Sequence, residues 1–260
     1  MSIPPNGPGK VAVVIGGTSG IGLATARILV DMGARVTITG RDPERGARAS
    51  QELGEHAHYA RMDVAHTDQV AATIDDIVRR WGRLDWAVNA AALSDTPFAR
   101  IADITEEDWD RTLAVDLKGV WLAMKYELAA MIAIGGGSIV NVSSVNGLSA
   151  TPQAGAYCAA KHGLHGLTKT AAAEYAAQGI RINVVCPGAH LTPMLEAVFD
   201  RLTPGEPDKA AAMYRSLIPM NRIGDPAECA RAVAWLLSDA ASYVTGAVLT
   251  VDGGIALRTA

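Results

Sequence analysis

Short apolar runs alternate with longer helical stretches along almost the whole chain. Runs near 10–15, 35–39, 57–61, 84–88, 137–142, 180–185 and 247–251 read as strands, and the segments between them read as helices. The clearest, Lys10-Val11-Ala12-Val13-Val14-Ile15, is almost continuously apolar, as a strand buried on both faces must be. Strict alternation of this kind predicts an α/β fold: a doubly wound, seven-stranded parallel sheet with helices on both faces and right-handed crossovers. The rhythm breaks between Pro193 and Pro226, where Pro204-Gly205-Glu206-Pro207 separates two short helical pieces. Insertions at this edge of a sheet commonly carry substrate contacts.

Composition narrows the reading. The 260 residues are 49% hydrophobic and 19% charged, enough apolar material to cover both faces of one sheet, and no segment resembles a linker. One domain, 1–260, is expected. A net charge of -4 without a Lys/Arg block argues against nucleic acid or an anionic membrane as partner. No uninterrupted apolar run reaches the roughly 18–20 residues a membrane span needs. Met1 to Gly9, with Pro4, Pro5 and Pro8, lacks the apolar core of a signal peptide and reads as a loose arm. Cys158, Cys186 and Cys229 are scattered and read as reduced thiols, so the cytoplasm is the expected compartment. Although His162 and His165 share a helix face, no cysteine or carboxylate pattern joins them, and no metal is expected.

Four features carry chemistry. Gly16-Gly17-Thr18-Ser19-Gly20-Ile21-Gly22 links the first strand to a helical run from Leu23 to Met32. Glycines at 16, 20 and 22 permit a tight turn and close backbone approach, so that free N–H groups and the helix dipole can meet a pyrophosphate. Tyr157 and Lys161 lie four apart on a helix and share one face. An ammonium there lowers the phenol's pKa toward a range useful for proton transfer. Ser144 follows the run Ser138-Ile139-Val140-Asn141-Val142, at the strand end where ligands of open α/β sheets bind. The strand containing Asn183-Val184-Val185-Cys186 ends sharply at Pro187-Gly188. Each feature alone also has a plain reading: a turn, a half-buried tyrosine beside a solvated lysine, a strand-end serine.

In this order the motifs resemble the short-chain dehydrogenase/reductase family over nearly the whole chain. They include Asp63-Val64, a version of Asn-Asn-Ala-Gly at Asn89 to Ala92, Thr192, and the ending Val244-Thr245-Gly246 to Val251-Asp252-Gly253-Gly254. The resemblance implies a Rossmann-type fold, a nicotinamide dinucleotide, and hydride transfer between nicotinamide and a ketone or secondary alcohol. It assigns Tyr157 as general acid/base, Ser144 as the group holding the substrate oxygen, and Lys161 as the residue that tunes Tyr157 and binds the nicotinamide ribose. It places Gly16, Thr18, Ser19, Gly20, Ile21 and Gly22 around the pyrophosphate, Asp63 and Val64 at the adenine, Asn89 and Ala90 by its ribose, and Pro187, Gly188 and Thr192 near the nicotinamide. The interruption at 193–226 corresponds to the family's mobile substrate lid. The family mostly forms tetramers, here through helices 105–133 and 156–178 and through the C-terminal strand region.

Gly40 stands where a carboxylate would favour NAD(H), and Arg41 follows, matching a phosphate; NADP(H) is therefore expected over NAD(H). Asp42 reads as an N-cap before Pro43. The chain departs from the family at several points. Asp116 replaces the usual Asn of a proton relay to Lys161; a helix kink is its plainer reading. Asn89-Ala90-Ala91-Ala92 lacks one amide and one glycine, and Ile15 replaces a threonine. Candidate pocket residues are Asn146, Ala154, His190 and Met194. With no pocket Arg or Lys evident, an uncharged carbonyl or alcohol substrate is expected. Two other classes share parts of this pattern. A binding-only dinucleotide sensor is disfavoured by the intact Ser144, Tyr157 and Lys161, and an extended epimerase or dehydratase needs a C-terminal domain for which there is no room.

Overall fold

The run after Lys10 becomes an interior strand of the predicted sheet. A computed structural model describes residues 7–95 and 98–257. Along the chain come β1 (Val11–Ile15), α1 (Gly20–Asp31), β2 (Arg35–Gly40), α2 (Pro43–Leu53), β3 (Ala57–Arg61), α3 (Thr67–Trp81) and β4 (Trp86–Asn89). Then follow α4 (Glu106–Leu113), a π-helical stretch at Ala114–Lys118, α5 (Gly119–Ala133), β5 (Gly137–Val142), α6 (Gly155–Tyr175) and β6 (Ile180–Pro187). The chain closes with α7 (Pro193–Leu202), α8 (Pro207–Leu217), α9 (Pro226–Leu237) and β7 (Val248–Val251).

The strands lie in the order β3-β2-β1-β4-β5-β6-β7, and every pair is parallel. Because side chains of a strand alternate between faces, β1 feeds two separate cores. Val11, Val13 and Ile15 pack with Ile74, Met124 and Met131 on one face. Ala12 and Val14 pack with Leu29, Ile38 and Val233 on the other. Each fully buried aliphatic side chain stabilises by about 1.5–3 kcal/mol, which makes this sheet the rigid frame of the molecule. The order reverses between β1 and β4, which opens a crevice at their C-terminal ends.

The opposite edge is pinned by charge. Asp85 accepts hydrogen bonds from Val11 N at 2.9 Å and Arg83 Nε at 2.8 Å, and Lys10 Nζ lies 3.3 Å away. Arg181 caps α9 by donating to the carbonyls of Leu236, Leu237 and Ser238.

Three details differ from the sequence reading. The helix expected over 105–133 is interrupted by the π-helical stretch, which buries Asp116 completely. Gly119 sits at its end because a Cβ there would lie 2.8 Å from Val64 Cγ1. Helix α1 begins at Gly20, so the glycine turn itself enters the helix. Of the arm expected at 1–9, residues 1–6 lie outside the described residues, and Gly7 is buried against Met32 rather than loose. Among the described residues no helix is long and apolar enough to cross a membrane, and no cluster of His, Cys, Asp and Glu could hold a metal ion.

Candidate active site

The glycine turn forms a cradle that excludes side chains. Gly16 has φ +79°, and a Cβ there would lie 2.6 Å from Ala91 N; one on Gly22 would lie 2.2 Å from Gly16 O. Ser19 is the N-cap of α1, yet its side chain makes no capping bond and the first turn carries no acidic residue. By contrast, Asp42, Thr105, Thr192 and Asp225 cap α2, α4, α7 and α9 with their side chains. The α1 terminus thus keeps N–H groups and a positive dipole end available at the crevice, which fits a dinucleotide pyrophosphate. Ile21 follows within the first turn. Thr192 approaches from α7, its Cγ2 lying 3.2 Å from where a Cβ on Gly20 would stand.

The reactive side chains meet at the same edge. Tyr157 and Lys161 project from the first two turns of α6. The Lys161 side chain is buried, its Nζ 3.1 Å from Asp116 Oδ1, 3.3 Å from the Val142 carbonyl and 5.4 Å from the centre of the Tyr157 ring. Asp116 Oδ2 accepts from Leu93 N at 3.2 Å, which ties the loop after β4 to this pair. Ser144 leaves β5 through a short 3-10 turn; its hydroxyl accepts from Asn146 N at 3.1 Å and pulls the Tyr157 pKa downward.

Electrostatics correct one expectation. The Tyr157 pKa is raised, because burial of the phenol outweighs the Lys161 ammonium and Asp116 adds to the rise. Lys161 still pulls it downward, as the four-residue spacing implied. Burial likewise opposes the Lys161 charge, but Asp116 and Tyr157 outweigh it and leave that pKa above the ordinary lysine value. Burial raises Asp116 despite Lys161.

The remaining candidates divide. Arg41 is exposed at the end of β2, within electrostatic reach of Asp95. Asp42 caps α2 as expected, accepting from Glu44 N and Arg45 N. Asp63 accepts from Ala65 N at 3.0 Å, and Val64 is buried against Gly119. Ala90 N bonds Ile15 O at 2.8 Å, at the crevice. The Asn89 side chain points away from it: Nδ2 donates to Glu127 Oε2 at 3.1 Å and to Asn141 Oδ1 at 2.9 Å inside the core. The amide of Asn89 therefore braces the sheet. Gly188 lies so close to Asp252 that a Cβ would fall 2.8 Å from it, and its N donates to Val251 O just after Pro187 ends β6. Asn146 accepts from Thr151 Oγ1 at 3.0 Å, and Ala154 is buried in a bridge to Ala99. His190 is buried, its ring against Gly224 and its Nδ1 3.3 Å from the Gly188 carbonyl; Met194 is half-buried on α7.

The sequence reading missed Glu127 and Gln153. Glu127 is fully buried and its carboxyl is pushed up to about 8 by that burial, with Asn89 opposing. A lone carboxylate in the apolar run from Trp121 to Ala133 was the signal. Gln153 has φ +67°, a left-handed conformation costly for a non-glycine residue, immediately before Ala154. Sequence pattern gives no sign of it.

Residues 16–256 match the family model described as enoyl-(acyl carrier protein) reductase. The chain is 41% identical over 247 residues to 2,5-dichloro-2,5-cyclohexadiene-1,4-diol dehydrogenase of Sphingobium indicum, covering 95% of this chain and 96% of that protein. It is 42% identical over 247 residues to cis-4-hydroxycyclohexanecarboxylate dehydrogenase of Sinomonas cyclohexanicum, covering 94% and 96%. The crystal structure of levodione reductase superimposes with a TM-score of 0.94 at 34% identity, covering 98% of this chain and all of that one.

Proposed function

Because the chain belongs to the short-chain dehydrogenase/reductase family, whose members are NAD(P)-dependent oxidoreductases, we propose that it interconverts a ring-borne secondary alcohol and its ketone. One observation carries this reading: Tyr157, Ser144 and the buried Lys161–Asp116 pair gather at the same C-terminal edge of the sheet as the uncapped end of α1. The names of the two dehydrogenase relatives specify hydroxyls on six-membered carbocycles, which supports a ring substrate.

A bound nicotinamide dinucleotide would supply the hydride acceptor for the alcohol carbon, or the hydride donor for the carbonyl. In oxidation, Tyr157 as phenolate takes the hydroxyl proton while the C–H pair leaves as hydride; in reduction, the phenol gives its proton to the carbonyl oxygen. Ser144 holds that oxygen. Lys161 stabilises the phenolate and offers its ammonium to ribose hydroxyls, and Asp116 holds Lys161 charged and in place. The turn from Gly16 to Gly22 with the α1 terminus would hold the pyrophosphate, Asp63 and Val64 the adenine, Asn89 and Ala90 the adenosine ribose, and Pro187, Gly188 and Thr192 the nicotinamide half. Gly40 and Arg41 favour NADP(H) over NAD(H): a Cβ on residue 40 would lie 2.8 Å from Thr18 Oγ1, so a carboxylate there would require the Thr18 side chain to shift. Asn146, Ala154, His190 and Met194 border the substrate, His190 by shaping the loop after Gly188. The segment 193–226 acts as the lid of a single domain. Its α7 and α8 pack on each other through Leu195, Phe199 and Ala210, and Arg201 reaches the Ser94 carbonyl at 3.2 Å and the Phe98 ring.

Three free cysteines suit a reducing cytoplasm. We also propose a homotetramer, because the groove lined by Leu113, Leu117, Leu167 and the exposed Trp121 runs along α4, α5 and α6. A monomeric mass by light scattering at micromolar concentration refutes it. The decisive experiment follows reduced-nicotinamide absorbance with NADPH and NADH over cyclic ketones and alcohols, with Tyr157→Phe as control. Turnover retained in the variant sinks the acid/base assignment.

A further inference from the structure

The proposed preference for NADP(H) hangs on an exposed arginine, and an exposed arginine is useful only if the turn carrying it is rigid. The structure holds that turn in an unusual way. Tyr59, on β3, places its hydroxyl 2.9 Å from the carbonyl oxygen of Gly40 and 3.2 Å from that of Asp42. These are the main-chain carbonyls of the two residues that flank Arg41 in the chain. Both already have one partner: Gly40 O accepts from Met62 N at 3.1 Å, and Asp42 O accepts from Gly46 N at 3.0 Å. A carbonyl has two lone pairs, so the phenol shares its single proton between the two open ones. The hydroxyl clamps the turn from within, and the Asp42 carboxylate fixes its far side by capping α2.

A second observation shows that the ring's position is built in. Gly46 lies inside α2, where glycine costs about 1 kcal/mol relative to alanine. A Cβ there would stand 2.2 Å from Tyr59 Cε2 and 2.3 Å from Cζ. The helix therefore carries an unfavourable residue at the one place where the Tyr59 ring needs the space. Burial raises the Tyr59 pKa, so the phenol keeps its proton across the working range and remains a donor.

We propose that Tyr59 is a positioning residue for cofactor choice: by bridging the carbonyls of Gly40 and Asp42 it fixes Arg41 to receive the 2′-phosphate of NADP(H). This rests on the Arg41 reading above. Without the clamp the Arg41 side chain loses its defined origin, and bidentate phosphate recognition is sensitive to such displacement. The adenine and pyrophosphate contacts arise from other elements and do not depend on it.

The test is equilibrium binding by calorimetry of adenosine 2′,5′-bisphosphate and of 5′-AMP to the full chain, so that no turnover is needed. For Tyr59→Phe the affinity for the bisphosphate is expected to fall about five- to tenfold, while that for AMP stays within about twofold. Gly46→Ala, which keeps the phenol but displaces the ring, is expected to reproduce the loss. In steady-state kinetics the same change appears in KM for NADPH rather than in kcat. An unaltered bisphosphate-to-AMP ratio in Tyr59→Phe, alongside a collapsed ratio in Arg41→Ala, overturns the Tyr59 proposal and leaves the Arg41 reading intact. Equal losses for both ligands also overturn it, since Tyr59 would then support the fold alone. Wild-type protein that binds the two ligands equally, or an Arg41→Ala variant with an unchanged ratio, removes the Arg41 reading and this proposal with it.

Discussion

Asp85 and Asp116 are both buried, at opposite ends of the same sheet, and their carboxyls shift in opposite directions. At the N-terminal edge burial pushes Asp85 upward, but Arg83, the Val11 N–H and Lys10 together outweigh it and hold the pKa below the ordinary value. At the C-terminal edge burial wins over Lys161, and Asp116 is raised. The difference lies in the number and kind of partners. Asp85 binds two cations and a backbone donor, whereas Asp116 faces one ammonium that it shares with Tyr157 and one N–H. Nearby, Asn89 Oδ1 and Glu127 Oε1 are buried without any hydrogen-bond partner. One end of the sheet is satisfied and serves stability; the other is left electrostatically tense, as groups that must exchange protons or ligands are.

The contrast can be broken most sharply at Tyr157. Tyr157→Phe is expected to lower kcat by about 10²–10⁴-fold while the melting temperature holds, read by steady-state kinetics and a thermal scan. Equal loss of activity and folding would mean that the active edge is as structural as the other.

Glu127 gives the next effect. Its folded pKa, about 8, is above the unfolded 4.5, so the native state binds the extra proton. Its stabilising contribution is full below about pH 4.5, is lost as pH rises toward 8, and changes little beyond. Glu127→Gln mimics the protonated acid. The variant should therefore gain on wild type by up to roughly 1.4 kcal/mol per pH unit across that window, measured by urea unfolding at several pH values. Parallel curves would place the proton elsewhere.

Asp85 has the opposite sign. Its depressed pKa gives stability that is present above about pH 3.9 and lost as pH falls through the lower folded value. Asp85→Ala orphans the Val11 N–H and is expected to cost about 2–4 kcal/mol in chemical denaturation while kcat per folded molecule is preserved. A loss of kcat with intact stability would erase the division between the edges.

The smallest effect is expected at Asp116. Because its charge raises the Tyr157 pKa, Asp116→Asn should lower that pKa and move the acid limb of the alcohol-oxidation profile to lower pH. An unmoved limb would show that Asp116 only places Lys161.

Much of the fold was legible because parallel strands buried on both faces leave unbroken apolar runs. All seven appeared within about two residues of where they were expected, and the two short helical pieces around Pro204-Gly205 appear as α7 and α8. The glycine turn, Ser144, Tyr157 and Lys161 were legible because each needs a particular residue type at a particular spacing. The core role of the Asn89 side chain was not legible: its amide is held by Glu127 and Asn141, residues 38 and 52 positions away. The Tyr157 pKa was misjudged for the same kind of reason. Spacing reveals the lysine one turn on, but not how deeply the phenol is buried.

The sequence alone therefore determined the strand-helix order, the doubly wound sheet, and which side chains stand at its C-terminal edge, since periodicity and local turn chemistry act over a few residues. Only the tertiary structure decided the π-helical turn that buries Asp116 against Lys161, the direction of each pKa shift, and the Tyr59 clamp across the Arg41 turn. Those depend on desolvation and on contacts between residues far apart in the chain, and neither leaves a local pattern.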